Sequence, residues 1–211
     1  MSDQSEPIVR YTAPERANHW MVAILFILAA LGGLSLFHPY FFWLSNLFGS
    51  GTWTRILHPF IGTLMFLSFL GLTGRFWAHN RITAADRQWM SQMGDVLNKR
   101  RDRLPEVGRY NAGQKYLFWV MVATMILLLI SGILFWQPWF APYFPIGLIR
   151  VAVVVHALSA FVLIMGIIVH IYAAIWTKGS ISAMTRGTVT AAWAKHHHPG
   201  WYREVSKEVK Q

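Results

Sequence analysis

Four long apolar segments constrain the possible folds of this chain more than any other feature. They cover residues 18–37, 56–76, 115–136 and 150–176, and each is close to or above the roughly 20 residues that a helix needs to cross a bilayer. Because lipid offers no hydrogen-bond partners to the backbone, each segment is expected to form an α-helix. The sequence therefore predicts an all-α integral membrane protein, in which residues 1–211 form one domain built as an up-down bundle of four transmembrane helices.

The composition supports a membrane protein and excludes several kinds of chemistry. Mean hydropathy is +0.37, with 55% apolar and 13% charged residues, well outside the balance of a soluble domain. The chain has no cysteine, which excludes thiol catalysis, disulfides, iron–sulfur ligation by cysteine and covalent haem attachment. Any redox centre in this chain is therefore expected to be held by other side chains. The first apolar segment is expected to be a retained helix, because no small-residue cleavage site follows it.

The basic residues are sorted by membrane side. Residues 38–54 and 137–149 contain no Lys or Arg, and Arg55 and Arg150 are the basic residues at the helix ends on that side. The other basic residues lie in the N-terminal stretch, the middle loop and the tail: Arg10, Arg16, Arg75, Arg81, Arg87, Lys99, Arg100, Arg101, Arg103, Arg109, Lys115, Lys178, Arg186, Lys195, Arg203, Lys207 and Lys210. Basic loops stay in the cytoplasm, so the sequence predicts that both termini and the middle loop lie in the cytoplasm. The net charge of +10 thus requires no nucleic-acid partner.

The middle loop and the tail carry local signals of their own. Thr83 followed by Asp86 forms a capping-box pattern, and apolar residues then recur at helical spacing: Trp89, Met90, Met93, Val96 and Leu97. We expect a short amphipathic helix at the cytoplasmic interface. The three histidines at 196–198 are expected at the surface rather than in a metal site.

Four histidines lie in or at the ends of the apolar segments: His19, His58, His156 and His170. Ionisable residues inside a membrane are functional candidates. His156 and His170 are separated by a helical rise of about 21 Å and lie within about 40° of the same helix face. A helix with two ligands at two depths is typical of two haems stacked across a bilayer.

The predicted topology matches these histidines in depth. His19 opens the first helix near the inner face, and His58 opens the second near the outer face, while the inward-running fourth helix places His156 outside and His170 inside. A lone transmembrane histidine more often hydrogen-bonds a neighbouring helix than binds metal, but four at matched depths favour ligation. We therefore expect His58 and His156 to bind an outer haem b, and His19 and His170 an inner one. Two axial imidazoles leave iron no open position, so such a haem transfers electrons.

Three further residues are expected to accommodate the haems. Gly33 follows His19 at the same spacing that separates His156 from His170, which places it at the depth of the outer pair. A glycine there leaves room for a porphyrin edge, although a helix contact is an equally good reason for one small residue. Arg55 and Arg150 are the outer cations that we assign to the haem propionates.

Longer motifs give a more specific interpretation. They are VRYTAPERANHW, RILHPFIG, GRYNAGQK, VVVHALSAF, IVHIYAAIWTKGSI and HHHPGWYREV. Over essentially its whole length the chain resembles the cytochrome b, or gamma, subunit of membrane-bound respiratory formate dehydrogenase. The resemblance implies two haems b on the four histidines above. It also implies a quinone site beside the inner haem, with Asn111, Gly113, Gln114 and His170 as contacts. The alternative for GRYNAGQK is a loop and helix cap.

The resemblance also implies partners. A catalytic alpha subunit with molybdenum or tungsten would oxidise formate outside, and an iron–sulfur beta subunit would pass electrons to the outer haem. Menaquinone or ubiquinone would then be reduced inside, so the chain conducts electrons and contains no catalytic residue for formate oxidation. The nearest alternative is the cytochrome b of a hydrogenase or thiosulfate reductase. A non-redox membrane anchor or a proton-linked transporter is a further alternative, but the apolar segments contain no Asp or Glu and no paired broken helices.

Overall fold

The computed structural model describes residues 7–98, 100 and 103–208. Lys99, Arg101 and Lys210 of the basic series lie outside the described residues. The first six α-helices are α1 Ala13–Phe37, α2 Gly51–Phe76, α3 Ala84–Ser91, α4 Met93–Leu97, α5 Ala112–Phe135 and α6 Ile146–Trp176. Among the described residues, α1, α2, α5 and α6 are long and apolar enough to cross a membrane. This confirms the all-α fold with four spans.

Each long helix begins about one turn before the apolar segment that predicted it. The added turns are held by polar groups. At α2, the Thr54 hydroxyl donates to the Ser50 carbonyl at 2.8 Å and the Ser50 hydroxyl accepts from the Trp53 amide at 3.3 Å. Hydrophobicity marks the part of a helix that lies in hydrocarbon, whereas caps and backbone bonds set its ends.

The chain divides into two compact units. The apolar unit comprises Ala17–Gly74 and Val120–Val169, and the polar unit comprises the described residues of Met1–Arg16, Arg75–Trp119 and His170–Gln211. Most large apolar side chains of the four long helices are exposed, such as Leu67 at 58% and Phe161 at 63%. Exposure of this kind is expected where lipid covers the helices.

Small polar side chains are buried between the helices of the apolar unit. The Ser35 hydroxyl donates to the Gly32 carbonyl at 2.7 Å, one turn back along α1. Such bonds satisfy a hydroxyl without water. After α1 the chain forms a 3-10 helix, Pro39–Phe48, whose first turn is capped by His38 Nδ1 accepting from the Tyr40 amide at 3.2 Å. His38 therefore caps a helix in the loop.

The middle loop contains the predicted capping box. The Thr83 side chain accepts from the Asp86 amide, and the Asp86 carboxylate accepts from the Thr83 amide at 2.8 Å. The sequence pattern predicted one amphipathic helix here, but the structure has two short ones, α3 and α4. They are separated at Gln92, whose backbone leaves the helical region with φ −98° and ψ 28°. The placement of this segment at the membrane interface stays a prediction.

The tail folds as part of the polar unit. Strands β1 (Pro7–Val9) and β2 (Thr188–Thr190) pair antiparallel, and three helices surround them: α7 Ser180–Arg186, α8 Ala191–His197 and α9 Pro199–Glu208. Their core is formed by Ala183, Val189, Ala194 and Trp201. The surface prediction for residues 196–198 is wrong for His198, which is only 4% exposed. The tail folds against the N-terminal strand β1, which is distant in sequence. Such pairing leaves no periodic pattern in the tail sequence from which the burial of His198 could be predicted.

Candidate cofactor sites

The predicted outer pair of histidines is brought together in the apolar unit. His58 on α2 and His156 on α6 have ring centroids 6.3 Å apart and planes inclined at 69°. Two imidazoles on opposite sides of one metal ion, each with a bond of about 2 Å, have centroids about 6 Å apart. The observed separation therefore fits an iron held between two axial histidines.

Each ring of this pair has acceptors on a neighbouring helix. His156 Nδ1 lies 3.1 Å from the Ser131 hydroxyl, and the Leu128 carbonyl on the same helix faces that ring. The Ala29 carbonyl faces the His58 ring without reaching the geometry of a regular hydrogen bond. Acceptors at Nδ1 select the tautomer that leaves Nε2 for a metal. His156 is thus supported as ligating histidines usually are, whereas His58 Nδ1 forms no regular hydrogen bond among the described residues.

Glycines surround the two rings. A Cβ added at Gly33 would lie 3.2 Å from His58 Cε1, and one added at Gly32 would lie 3.4 Å from His58 Nδ1. On α5, a Cβ at Gly132 would lie 3.3 Å from His156 Cε1. Gly33 was predicted from the sequence, whereas Gly32, Gly132 and the neighbouring Ser131 were not. Ser131 and Gly132 are adjacent small residues in the third apolar segment, and this pattern could have identified both of them.

The inner histidines are each placed on a long helix. His19 lies near the start of α1, half-buried, with its ring centroid 5.4 Å from that of Trp20. His170 lies on the last turns of α6 and is exposed. They belong to different compact units, and their pairing on an inner haem stays a prediction.

The two outer arginines lie in the first turns of α2 and α6. Both are exposed, and neither forms a salt bridge with any carboxylate among the described residues. Arg55 borders a cavity of about 420 Å³ whose other lining residues are Ser35, Leu36, His38, Pro39 and Phe42. Arg55 and Arg150 are therefore available to an anionic group, and their role toward propionates stays a prediction.

The GRYNAGQK motif begins helix α5 with a reciprocal cap. The Asn111 amide donates to Gln114 Oε1 at 3.0 Å, and the Gln114 amide donates to Asn111 Oδ1 at 2.9 Å. The helix-cap alternative is therefore present in the structure. The cap occupies one acceptor oxygen of each side chain and leaves both side-chain NH2 groups as donors. Gly113 lies beside them, because a Cβ there would be 3.4 Å from Asn111 Oδ1 and 3.8 Å from the Trp89 ring.

A nearly buried ion pair lies close to this cap. Lys115 Nζ donates to Asp86 Oδ2 at 2.8 Å, and the two side chains are 13% and 9% exposed. Burial alone would raise the pKa of Asp86, but the hydrogen bonds from Lys115 and Thr83 outweigh it and hold that pKa below its ordinary value. Asp86 is therefore a stable carboxylate at neutral pH.

A buried cluster fixes the other end of the motif. Arg10 donates to the Arg109 carbonyl at 2.8 Å, and Arg109 donates to the Arg10 carbonyl at 2.9 Å. Arg10 Nη2 lies 3.3 Å from His198 Nε2, and His198 Nδ1 lies 2.9 Å from the Gly108 carbonyl. Burial, together with the charge of Arg10, lowers the pKa of His198 to about 3. A neutral His198 therefore ties the tail to the N-terminal segment and to the motif.

Comparison with known proteins is consistent with this geometry. The family model described as prokaryotic cytochrome b561 matches residues 10–187. The chain belongs to the prokaryotic cytochrome b561 family, a class of membrane cytochromes whose name implies haem b.

Within that class the similar proteins are all of one kind. The chain is 48% identical to the formate dehydrogenase cytochrome b556(fdo) subunit of Escherichia coli K12, over 98% of this chain and 97% of that protein. It is 42% identical to the nitrate-inducible formate dehydrogenase cytochrome b556(Fdn) subunit of the same organism, over 97% and 94%. A formate dehydrogenase cytochrome b556 subunit of Haemophilus influenzae is 43% identical over 93% and 83%. The resemblance inferred from the motifs is confirmed.

Proposed function

We propose that this chain is the electron-transfer subunit of a respiratory formate dehydrogenase in the bacterial inner membrane. It passes electrons from a periplasmic iron–sulfur beta subunit, through two haems b, to menaquinone or ubiquinone at the cytoplasmic side. The observation that carries this proposal is the separation of 6.3 Å between the ring centroids of His58 and His156, in a chain similar along its length to cytochrome b556 subunits.

The residues of the apolar unit have distinct tasks in this proposal. His58 and His156 hold the outer haem b, and Gly33 and Gly132 keep the space beside their rings open. A haem held by these two histidines would supply one-electron transfer and no substrate site. Arg55 and Arg150 pair with the haem propionates. The pairing stabilises these carboxylates near the membrane surface. His19 and His170 hold the inner haem b.

The quinone site is proposed at the cytoplasmic side, at the start of α5. Asn111 and Gln114 donate their free NH2 groups to quinone oxygens, Gly113 allows close approach, and His170 lies beside the ring. Electron movement from the outside inward opposes the membrane potential by about 2.3 kcal/mol per 100 mV. Reduction of quinone with cytoplasmic protons therefore stores redox energy as proton-motive force.

The partners follow from the same proposal. The beta subunit supplies electrons on the outer side, and an alpha subunit with molybdenum or tungsten oxidises formate. Purification of the complex from native membranes, with identification of its subunits, tests this directly. We expect b-type absorption that formate reduces and that quinone reoxidises.

Each alternative gives a different result in that experiment. Reduction by hydrogen, with a hydrogenase subunit in the preparation, would favour the hydrogenase cytochrome, and a thiosulfate reductase subunit would favour the second alternative. A preparation without b-type absorption after dithionite would exclude electron transfer and leave the membrane anchor or the proton-linked transporter.

A further inference from the structure

A polar cavity of about 160 Å³ lies beside the α5 cap, within the polar unit. Among its lining residues are Asp86, Glu106, Tyr110, Asn111 and Lys115. Sites for small organic molecules usually measure about 300–1,000 Å³, so this space is too small for a quinone ring with its chain. Water occupies about 30 Å³ per molecule in the liquid, and the cavity has room for several.

The cavity joins the nearly buried ion pair to the proposed quinone contact. Asp86, Lys115 and Asn111 all line it. Oδ2 of Asp86 accepts from Lys115 Nζ and from the amide and hydroxyl of Thr83, at 2.7–2.8 Å, whereas its Oδ1 accepts no hydrogen bond from the described residues. Lys115 Nζ also donates to the Arg81 carbonyl at 3.3 Å. The other titratable groups that line the cavity are Glu106 and Tyr110.

Glu106 also lines the cavity. This residue is exposed and forms an ion pair with Arg203 at the protein surface. The lining of the cavity therefore contains the exposed carboxylate of Glu106 and the nearly buried Asp86–Lys115 pair. It also contains the side-chain amide of Asn111, which is a proposed quinone contact. These are the elements that water-mediated proton transfer requires.

We propose that this cavity is the proton inlet for quinone reduction, and that Lys115, held by Asp86, is its proton carrier. The inference rests on the proposed function. A proton leaves Lys115 Nζ through cavity water for the quinone oxygen that is being reduced, where it forms an O–H bond. Lys115 then takes a proton from bulk water, while Asp86 keeps its side chain in place. Per quinone, two electrons arrive from the formate side and two protons from this side, so two O–H bonds form.

Asp86 also caps α3, so the test must separate proton transfer from stability. Asp86→Asn keeps an oxygen acceptor for Thr83 but removes the charge. Lys115→Met removes the ammonium, and Lys115→Arg keeps a positive charge that does not give up its proton. The matched control is Asp95→Asn, because Asp95 is likewise an acidic residue in the first turn of a short helix and pairs with Arg100 at 3.7 Å, away from the cavity.

The experiment uses the whole complex in membranes, with menadione as the soluble quinone. We expect Asp86→Asn, Lys115→Met and Lys115→Arg to slow quinone reduction by about tenfold or more, the scale of general acid–base catalysis. Haem content, haem reduction by formate and the affinity of a quinone-site inhibitor should stay within about twofold of the wild type. The solvent deuterium isotope effect should rise, because proton delivery becomes the slow step. Asp95→Asn should match the wild type in every measurement.

Three results would overturn this inference. A normal rate in Lys115→Arg would overturn the proton-carrier role and leave a structural ion pair. Loss of inhibitor affinity in parallel with rate, at an unchanged isotope effect, would likewise show that the pair only maintains the fold. A wild-type complex that reduces no quinone would overturn the proposed function itself, and the inference with it.

Discussion

The imidazole of His58 on α2 faces that of His156 on α6, with 6.3 Å between the ring centroids. Both rings belong to the apolar unit, and each has a backbone carbonyl of another helix facing it: that of Ala29 for His58 and that of Leu128 for His156. The pair is thus defined without reference to His19 or His170. This independence makes the two proposed haems separable by mutation.

His58→Ala and His156→Ala should each lower the haem content from two to one per chain, because one axial imidazole does not hold a low-spin haem. His19→Ala should remove the inner haem in the same way. Pyridine haemochrome assays measure the content, and substitution of the exposed tail residue His196 by Ala is the control. Two low-spin haems in any of the ligand variants would show that the assignment is wrong at that position.

Gly33→Ala should disturb the outer haem, because the new Cβ would lie 3.2 Å from His58 Cε1. We expect a shifted reduced spectrum and partial loss of haem. Gly74 lies in α2, far from His58, with nothing within 4 Å of an added Cβ, so Gly74→Ala is the matched control. Its helix should gain up to about 1 kcal/mol from the better helix former. Equal haem spectra in the two variants would contradict the role of Gly33.

Asn111→Leu should abolish electron transfer to quinone while both haems remain reducible by formate. Because Asn111 also caps α5, this variant should in addition lose about 1 kcal/mol of stability. Asn111→Asp separates the two effects, since its carboxylate still accepts from the Gln114 amide but offers no NH2 donor. We expect the Asp variant to keep wild-type stability with impaired quinone reduction. An Asp variant with normal quinone kinetics and normal inhibitor sensitivity would place the quinone site elsewhere.

The stability of the polar unit should depend on His198 at acidic pH. Its pKa is about 3 in the folded chain, against an ordinary value of 6.5. The folded state therefore binds fewer protons than the unfolded state between these values, so the free energy of unfolding falls as pH drops below 6.5. Between pH 7 and pH 5 this group should account for about 2 kcal/mol.

Denaturation followed by tryptophan fluorescence measures this effect, since Trp193 and Trp201 lie beside His198. His198→Gln should remove that part of the pH dependence, whereas substitution of the exposed His196 by Gln should retain it. The same pH dependence in all three proteins would assign the effect to other groups, such as His79, whose pKa is also lowered by burial.

Reporter fusions after Gln211 test the predicted orientation. The distribution of Lys and Arg predicts a cytoplasmic C-terminus, so a reporter that works only in the cytoplasm should be active. An active reporter that requires the periplasm would reverse the topology, and the names inner and outer would then be exchanged between the two haems.

The sequence by itself determined the four spans and the positions of the ligand candidates. Apolar length and charge distribution are local properties, and they act through the free energy of transfer into the bilayer whatever the packing. The histidines could be matched in depth because a helix has a fixed rise per residue. Similarity to the cytochrome b subunit of formate dehydrogenase was also visible in the motifs, since these are contiguous.

Only the tertiary structure decided how these elements meet. The contacts of Gly132 and Ser131 with His156, and the Asp86–Lys115 pair, depend on the rotation and crossing of helices that the local pattern leaves undetermined. The burial of His198 against Arg10 joins segments from opposite ends of the chain, and its signal was hidden in a polar tail. Its lowered pKa has the same origin, because desolvation depends on neighbours that are distant in sequence and brought together by packing.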